Sequence, residues 1–169
     1  MGYDMITSIW HKTEEGTWQE MKMMTGNNHE VDLFPSRDGM FNQVMLGYNR
    51  HSYDMEPIAW KRGLPDWYVK ARIDEGLEDD WWDNREEAEE YWETHKTADG
   101  TYYDYLELIG YASNSNWRFK DWIASEECGR TIKRNPIGEF ISTASRLVEA
   151  YGIYNPLPGE IMVVCEASF

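Results

Sequence analysis

Between Asp74 and Glu93 the chain carries carboxylates at positions 74, 75, 78, 79, 80, 83, 86, 87, 89, 90 and 93 against one cation, Arg85. Eleven acids less one base leave minus 10 in twenty residues. Such a stretch has to face water, because crowded carboxylates repel one another and burying them unpaired is costly. Asp83 or Asn84 can cap a helix running to about Thr94, with Ala88, Tyr91 and Trp92 placing apolar surface on one side and acids on the other. The bias is local. The whole chain of 169 residues has 16 basic and 31 acidic side chains, a formal charge of −15, so about two-thirds of the excess sits in this segment. A pI near 4.6 argues against a grip on nucleic-acid phosphates as the main activity, since Lys and Arg drive such binding by releasing counterions. An acidic face is drawn instead to a basic one, including a basic groove that ordinarily holds nucleic acid.

The remaining composition is that of a folded chain. Hydrophobic residues make up 41% and aromatics 15%, with nine Trp and eleven Tyr, far more ring surface than a solvated acidic tail carries. The length suits a single domain, 1–169, with an acidic helical insertion at about 74–97, and it allows a core that needs no disulfide or metal. Cys128 and Cys165 lack CxxC spacing and read as buried or incidental thiols. The longest apolar run, Ile161 to Cys165, is far short of the ~20 residues of a membrane-spanning helix. An early Asp4 and no basic start are wrong for a secretory signal, and Ile6 stands where a myristoylation motif wants Ser or Thr, so a cytoplasmic location is expected.

The periodicity predicts an α+β fold: a small antiparallel or mixed sheet, made of an N-terminal hairpin and a C-terminal strand, packed with about four to five helices. Tyr3 to Trp10 and Thr17 to Met24 form the hairpin around the polar turn Lys12 to Gly16, and Glu30 to Phe34 adds a third strand stopped by Pro35. Met40, Phe41, Val44 and Met45 mark a short helix, capped by Ser36 or Asp38 and ended by Gly47. Asn49 to Pro65 reads as an ordered loop with Trp60 as its anchor. After the Asp99-Gly100 turn, Tyr102, Tyr105, Leu106 and Ile109 predict a helix over Tyr102 to Ala112, and Trp117 to Ala124 a short one. Ile137, Phe140, Ile141, Ala144, Leu147, Val148 and Tyr151 give the clearest amphipathic helix, opened by Pro136 and closed by Gly152. Glu160 to Ala167, with its unbroken apolar core, reads as a central strand.

Recognised catalytic signatures are missing: there is no GxGxxG, P-loop, HExxH, GxSxG or EF-hand loop. Asp4 beside Gly2 could present a carboxylate to a metal or amine, although a surface strand position explains it more simply. His29 and Asp32 would point to opposite faces of a strand, which makes shared metal ligation awkward, and no metal site is expected. Lys61-Arg62 ahead of Gly63-Leu64-Pro65 could hold an anion, with a loop salt bridge the plainer role.

Several segments occur in a recognisable order: Met1-Gly2-Tyr3-Asp4-Met5, Arg37-Asp38-Gly39-Met40-Phe41, Lys61-Arg62-Gly63-Leu64-Pro65, Asp99 to Leu106, the helix Ser142 to Tyr151 and the strand Glu160 to Ala167. Together they resemble a family of small phage-encoded proteins that typically begin Met-Gly-Cys-Asp-Ile-His and have no assigned activity. The resemblance implies a bacteriophage-infected cell as the setting. Two departures bear on chemistry. The family's His after the N-terminal Asp is Ile6 here, and its His in the fourth motif is Thr101, so both candidate proton carriers are gone.

Lost imidazoles and added negative surface favour binding over turnover. The expectation is therefore a phage accessory protein that binds and inhibits a host nucleic-acid-handling protein of an antiviral defence system. The partner offers a basic surface, and no nucleic acid, membrane or cofactor is called for. The partner-binding acids are Asp74, Glu75, Glu78, Asp79, Asp80, Asp83, Glu86, Glu87 and Glu90, with Trp81 and Trp82 as aromatic anchors. The alternative is a protein that binds a nucleotide or phosphate ligand, or a Mg²⁺-dependent phosphoester enzyme, with Asp4, Arg37, Arg62 and Asp99 around a pocket. A homo-oligomer stays open, whereas missing heptads and repeats give a virion component little support.

Overall fold

An apolar run without alternation, such as Ile161 to Cys165, suits a strand covered on both faces. The computed structural model, which describes residues 4–47, 57–113 and 135–168 with the backbone of 122–123 and 131–132, puts this run at the heart of the sheet. The elements run β1 (Asp4–Lys12), β2 (Trp18–Met21), α1 (Gly39–Leu46), α2 (Asp66–Glu78), α3 (Arg85–Ala98), β3 (Gly100–Asp104), α4 (Tyr105–Ser113), β4 (Trp122–Ile123), β5 (Thr131–Ile132), α5 (Pro136–Ala150) and β6 (Ile161–Ser168). The four-stranded sheet has the order β2-β1-β6-β3, and each neighbouring pair is antiparallel. The fold is α+β, and no helix among the described residues is long and apolar enough to cross a membrane.

Local chemistry explains where most elements begin and end. Gly16, at φ 83°, closes the hairpin turn in which the Thr13 amide donates to the Thr17 carbonyl at 2.8 Å. Of the two caps open for α1, Asp38 is the one used: its carboxylate accepts the Phe41 amide, and Gly47 ends the helix in the left-handed region. Asn84 accepts the Glu87 amide at 2.9 Å to start α3, and Asn135 accepts the Gly138 amide at 2.9 Å with Pro136 in the first turn of α5. His95 and Lys96 complement the C-terminal dipole of α3, which continues past Thr94 to Ala98.

Tertiary packing overrules the sequence pattern at four places. Tyr102 to Asp104 are strand rather than helix, and α4 starts only at Tyr105. The alternating side chains of β3 feed two separate cores, Tyr103 one and Tyr102 the other. The expected third strand shrinks to a bridge between Met24 and Glu30, because Leu33 and Phe34 turn inward and Phe34 meets the Phe140 ring at 4.9 Å. Trp60 does not anchor its loop; it is 92% exposed, and Leu64 is the buried residue there. Helix α2 has no counterpart in the expected elements, since Lys70, Arg72, Asp74 and Glu75 dilute the apolar stripe of Tyr68, Val69 and Ile73. The helix expected over 117–124 lies outside the described residues, except that 122–123 pair as a strand with 131–132.

Both faces of the sheet are covered. On one, Met5, Ile9, Tyr103, Ile161, Val163 and Cys165 pack against α1, α4 and α5. On the other, Trp10 and Val164 pack with Leu64, Tyr68, Val69 and Ile73 of the α2 region and Ala88 and Trp92 of α3. The acidic segment thus forms the outer layer of this second face.

Candidate functional site

All eleven carboxylates between Asp74 and Glu93 are exposed. Three are already paired: Asp74 with Arg85 at 2.7 Å, Glu75 with Arg72 at 2.8 Å, and Glu93 with Lys96 at 3.2 Å. No ion pair among the described residues reaches Glu78, Asp79, Asp80, Asp83, Glu86, Glu87, Glu89 or Glu90. The turn joining α2 to α3 is held by a Schellman arrangement in which the Trp81 amide donates to the Gly76 carbonyl at 2.8 Å. Asp80 sits at its left-handed position with φ 59°, where a glycine is more usual. The turn throws Trp81 outward, 62% exposed, while Trp82 lies on Gly76, whose added Cβ would meet the indole at 2.5 Å.

Beneath this turn the second sheet face opens into a cleft of about 540 Å³. Its aromatic wall is Trp81, Trp82, Tyr91, Trp92 and His95. Tyr91 stacks on His95 at 3.8 Å, the consequence of their i, i+4 spacing on α3, and meets Trp82 at 5.0 Å. Ile6 and Glu166 contribute to the floor because they are cross-strand partners on β1 and β6. Ile6, Trp81 and Tyr91 are among the exposed large hydrophobic residues, so this cleft gathers apolar surface that is ordinarily scattered.

Glu166 is the chemical centre of the floor. Only 7% exposed, it accepts the Tyr68 hydroxyl at 2.5 Å and faces Arg72 Nε at 3.4 Å. Burial, reinforced by the Glu166 charge, raises the Tyr68 phenol well above its ordinary range, so Tyr68 stays a donor. Burial opposes the charge on Arg72, but Glu166, Tyr68 and Glu75 outweigh it and hold the guanidinium ionised. The same guanidinium lies 6.0 Å from the centre of the Trp81 ring. Asp99 also lines the cleft, and its carboxylate makes no hydrogen bond among the described residues.

The four residues of the phosphate-ligand alternative are dispersed by comparison. Asp4 is bound by Arg37 in an exposed ion pair at the start of β1. Arg62 gives both terminal nitrogens to Glu107, at 2.7 and 2.6 Å, and a third bond to the Tyr102 carbonyl at 3.1 Å, the loop salt bridge that the motif suggested. Gly63 and Leu64 fix the same loop: Gly63 has φ 79°, and Leu64 fills the space over Gly100. Only Asp99 of the four lines the aromatic cleft. His29 and Asp32 are exposed, and no group of three or more His, Cys, Asp or Glu side chains suited to a metal occurs among the described residues. Ile6 and Thr101, where the phage family carries His, stand opposite Glu166 and Cys165 on either side of β6.

Sequence reasoning found the aromatics of this site but not Glu166, Arg72 or Tyr68. The available signal was a single carboxylate inside an otherwise apolar central strand, which must find buried partners. The chain matches no protein-family model, no curated protein and no solved structure.

Proposed function

We propose that this chain is a phage accessory protein that docks on a basic, nucleic-acid-handling host protein in the host cytoplasm and blocks it. The observation that carries this reading is the outer layer of α2 and α3: eight exposed carboxylates that no cation among the described residues pairs, beside exposed Trp81 and Tyr91. Glu86 and Glu90 are one helical turn apart, about 6 Å along the axis, a spacing on the scale of successive phosphates. Charge of this kind speeds encounter, and the rings supply contact area that rim charges alone do not. Asp74 and Glu75 contribute less than their neighbours, because Arg85 and Arg72 already hold them.

The test uses the immobilised protein and a nuclease-treated lysate of the bacterial host. Replacing Asp79, Asp80, Glu86 and Glu87 together by Lys is expected to cut capture of the partner at least tenfold, with unchanged circular dichroism. The captured protein should be released by a double-stranded oligonucleotide and by raised salt. Capture that is indifferent to the reversal and to the oligonucleotide removes the reading.

A further inference from the structure

The cleft has recognition chemistry of its own, apart from the carboxylates on the outer helices. Its lining is aromatic on one side, and a ring face carries the negative pole of the aromatic quadrupole, while Glu166 and Asp99 line it with carboxylates. A flat cation satisfies both at once, stacking on the rings while in-plane N–H groups reach the oxygens. Arg72 shows this fit within the molecule: its guanidinium lies against Trp81 while Glu75 and Glu166 take its edge. Glu75 and Glu166 already hold that one cation and Asp99 lines the same cleft, so acids outnumber bases there, and a second positive group is favoured while a phosphate is not. Asp99 is the carboxylate still lacking a hydrogen-bond donor among the described residues. An ammonium could also be drawn in, but a compact, strongly hydrated charge gains less from an open aromatic wall than a guanidinium does.

We propose that the cleft receives an arginine side chain of the basic partner, seated against Trp81 and Tyr91 with its guanidinium on Asp99. This names the residue by which the proposed docking is anchored and so rests on that reading, yet it is tested without the partner. The probe is a Gly-Ser nonapeptide with one central Arg, compared with the same peptide carrying Lys or the neutral isostere citrulline. Binding is followed by the indole N–H resonances of the nine Trp residues, with the Trp81 signal assigned from Trp81→Phe.

The Arg peptide is expected to shift the Trp81 indole saturably and to bind about tenfold more tightly than the citrulline peptide, with Lys between them. Trp81→Ala and Asp99→Asn should each weaken it about fivefold, while Trp81→Phe restores part of the loss. Glu86→Lys, outside the cleft, should leave it within about twofold at 0.15 M salt. Equal binding of the citrulline peptide, or indifference to both Trp81→Ala and Asp99→Asn, overturns the assignment. If the peptide fails while the fourfold Lys reversal still abolishes partner capture, the cleft assignment falls and the docking reading stands. Peptide binding with no partner captured upholds the cleft and removes the docking reading alone.

Discussion

The two faces of the sheet are covered by different materials. Against α1, α4 and α5 lies an aliphatic and methionine-rich layer: Met5, Ile9, Met40, Val44, Met45, Ile137, Leu147, Ile161 and Val163 are each at most 2% exposed. Two hollows reach this layer, one of about 130 Å³ beside Phe34, Phe41 and Phe140 and one of about 300 Å³ beside Ile9, Met21 and Leu147. Against α2 and α3 lies a layer of indoles and phenols, with Trp18 stacked on Trp67 at 4.5 Å and Trp10 edge-on to Tyr68 at 5.7 Å. The larger hollow, the 540 Å³ cleft floored by a buried carboxylate, lies in this second layer. The lesson is a division of labour within one sheet: the closed face supplies most of the folding energy, and the open face retains unsatisfied surface.

The sharpest way to break that comparison is to truncate one residue on each face. Leu147→Ala on the closed face should cost about 2–5 kcal/mol, measured by urea unfolding, whereas Trp81→Ala at the mouth of the cleft should cost well under about 1 kcal/mol. Comparable losses would end the distinction. Gly100→Ala probes the seam between the acidic layer and the sheet, because the new Cβ would sit 2.2 Å from Leu64 Cδ2. A loss of about 1–3 kcal/mol is expected, and Leu64→Ala in the same chain should recover part of it.

A third measurement uses pH. Burial pushes the Cys165 thiol on the closed face from 9.0 up to about 12. The unfolded chain releases that proton first, so the stability it confers is complete below about pH 9 and is lost as pH rises toward 12. The expected loss is on the order of 1 kcal/mol by pH 10, and it should be absent from the pH profile of Cys165→Ala. On the open face, Tyr68 behaves with the same sign, from burial and then Glu166, but begins only above its ordinary value of 10.0. Tyr68→Phe should make that later part of the curve shallower, with Tyr103, raised by burial in the same direction, left to contribute the rest. The smallest effect belongs to the rim: Asp80→Gly relieves the left-handed strain at φ 59° and should stabilise the fold by up to about 1 kcal/mol.

Much of the closed face was legible from the residues because its elements carry their own punctuation. Pro136 and Gly152 bracket α5, Gly47 ends α1, and the unbroken apolar run of β6 announces a strand buried on both sides. The open face was harder to read. Its helix α2 hides Tyr68, Val69 and Ile73 among charges, and the run Thr101 to Tyr103 fits a helical stripe as readily as a strand until β6 is there to pair with it. The aromatic half of the cleft was visible in Trp81, Trp82 and Tyr91; the acidic floor was not, because Glu166 is 67 residues from Asp99 in sequence.

Charge density, capping residues and apolar periodicity act over a few residues, so the chain alone determined that the acids of 74–93 face water, where α1, α3 and α5 start, and which strand is central. Which acids become paired, which rings remain uncovered and what lies between them depend on elements distant in sequence arriving at one place. Glu166 acquires Tyr68 and Arg72, and Asp99 comes to line the same hollow, only when β6 closes against β1 and β3 with α2 and α3 above it. A cleft is a property of that assembly, since side-chain surroundings are set by packing and not by neighbours along the backbone.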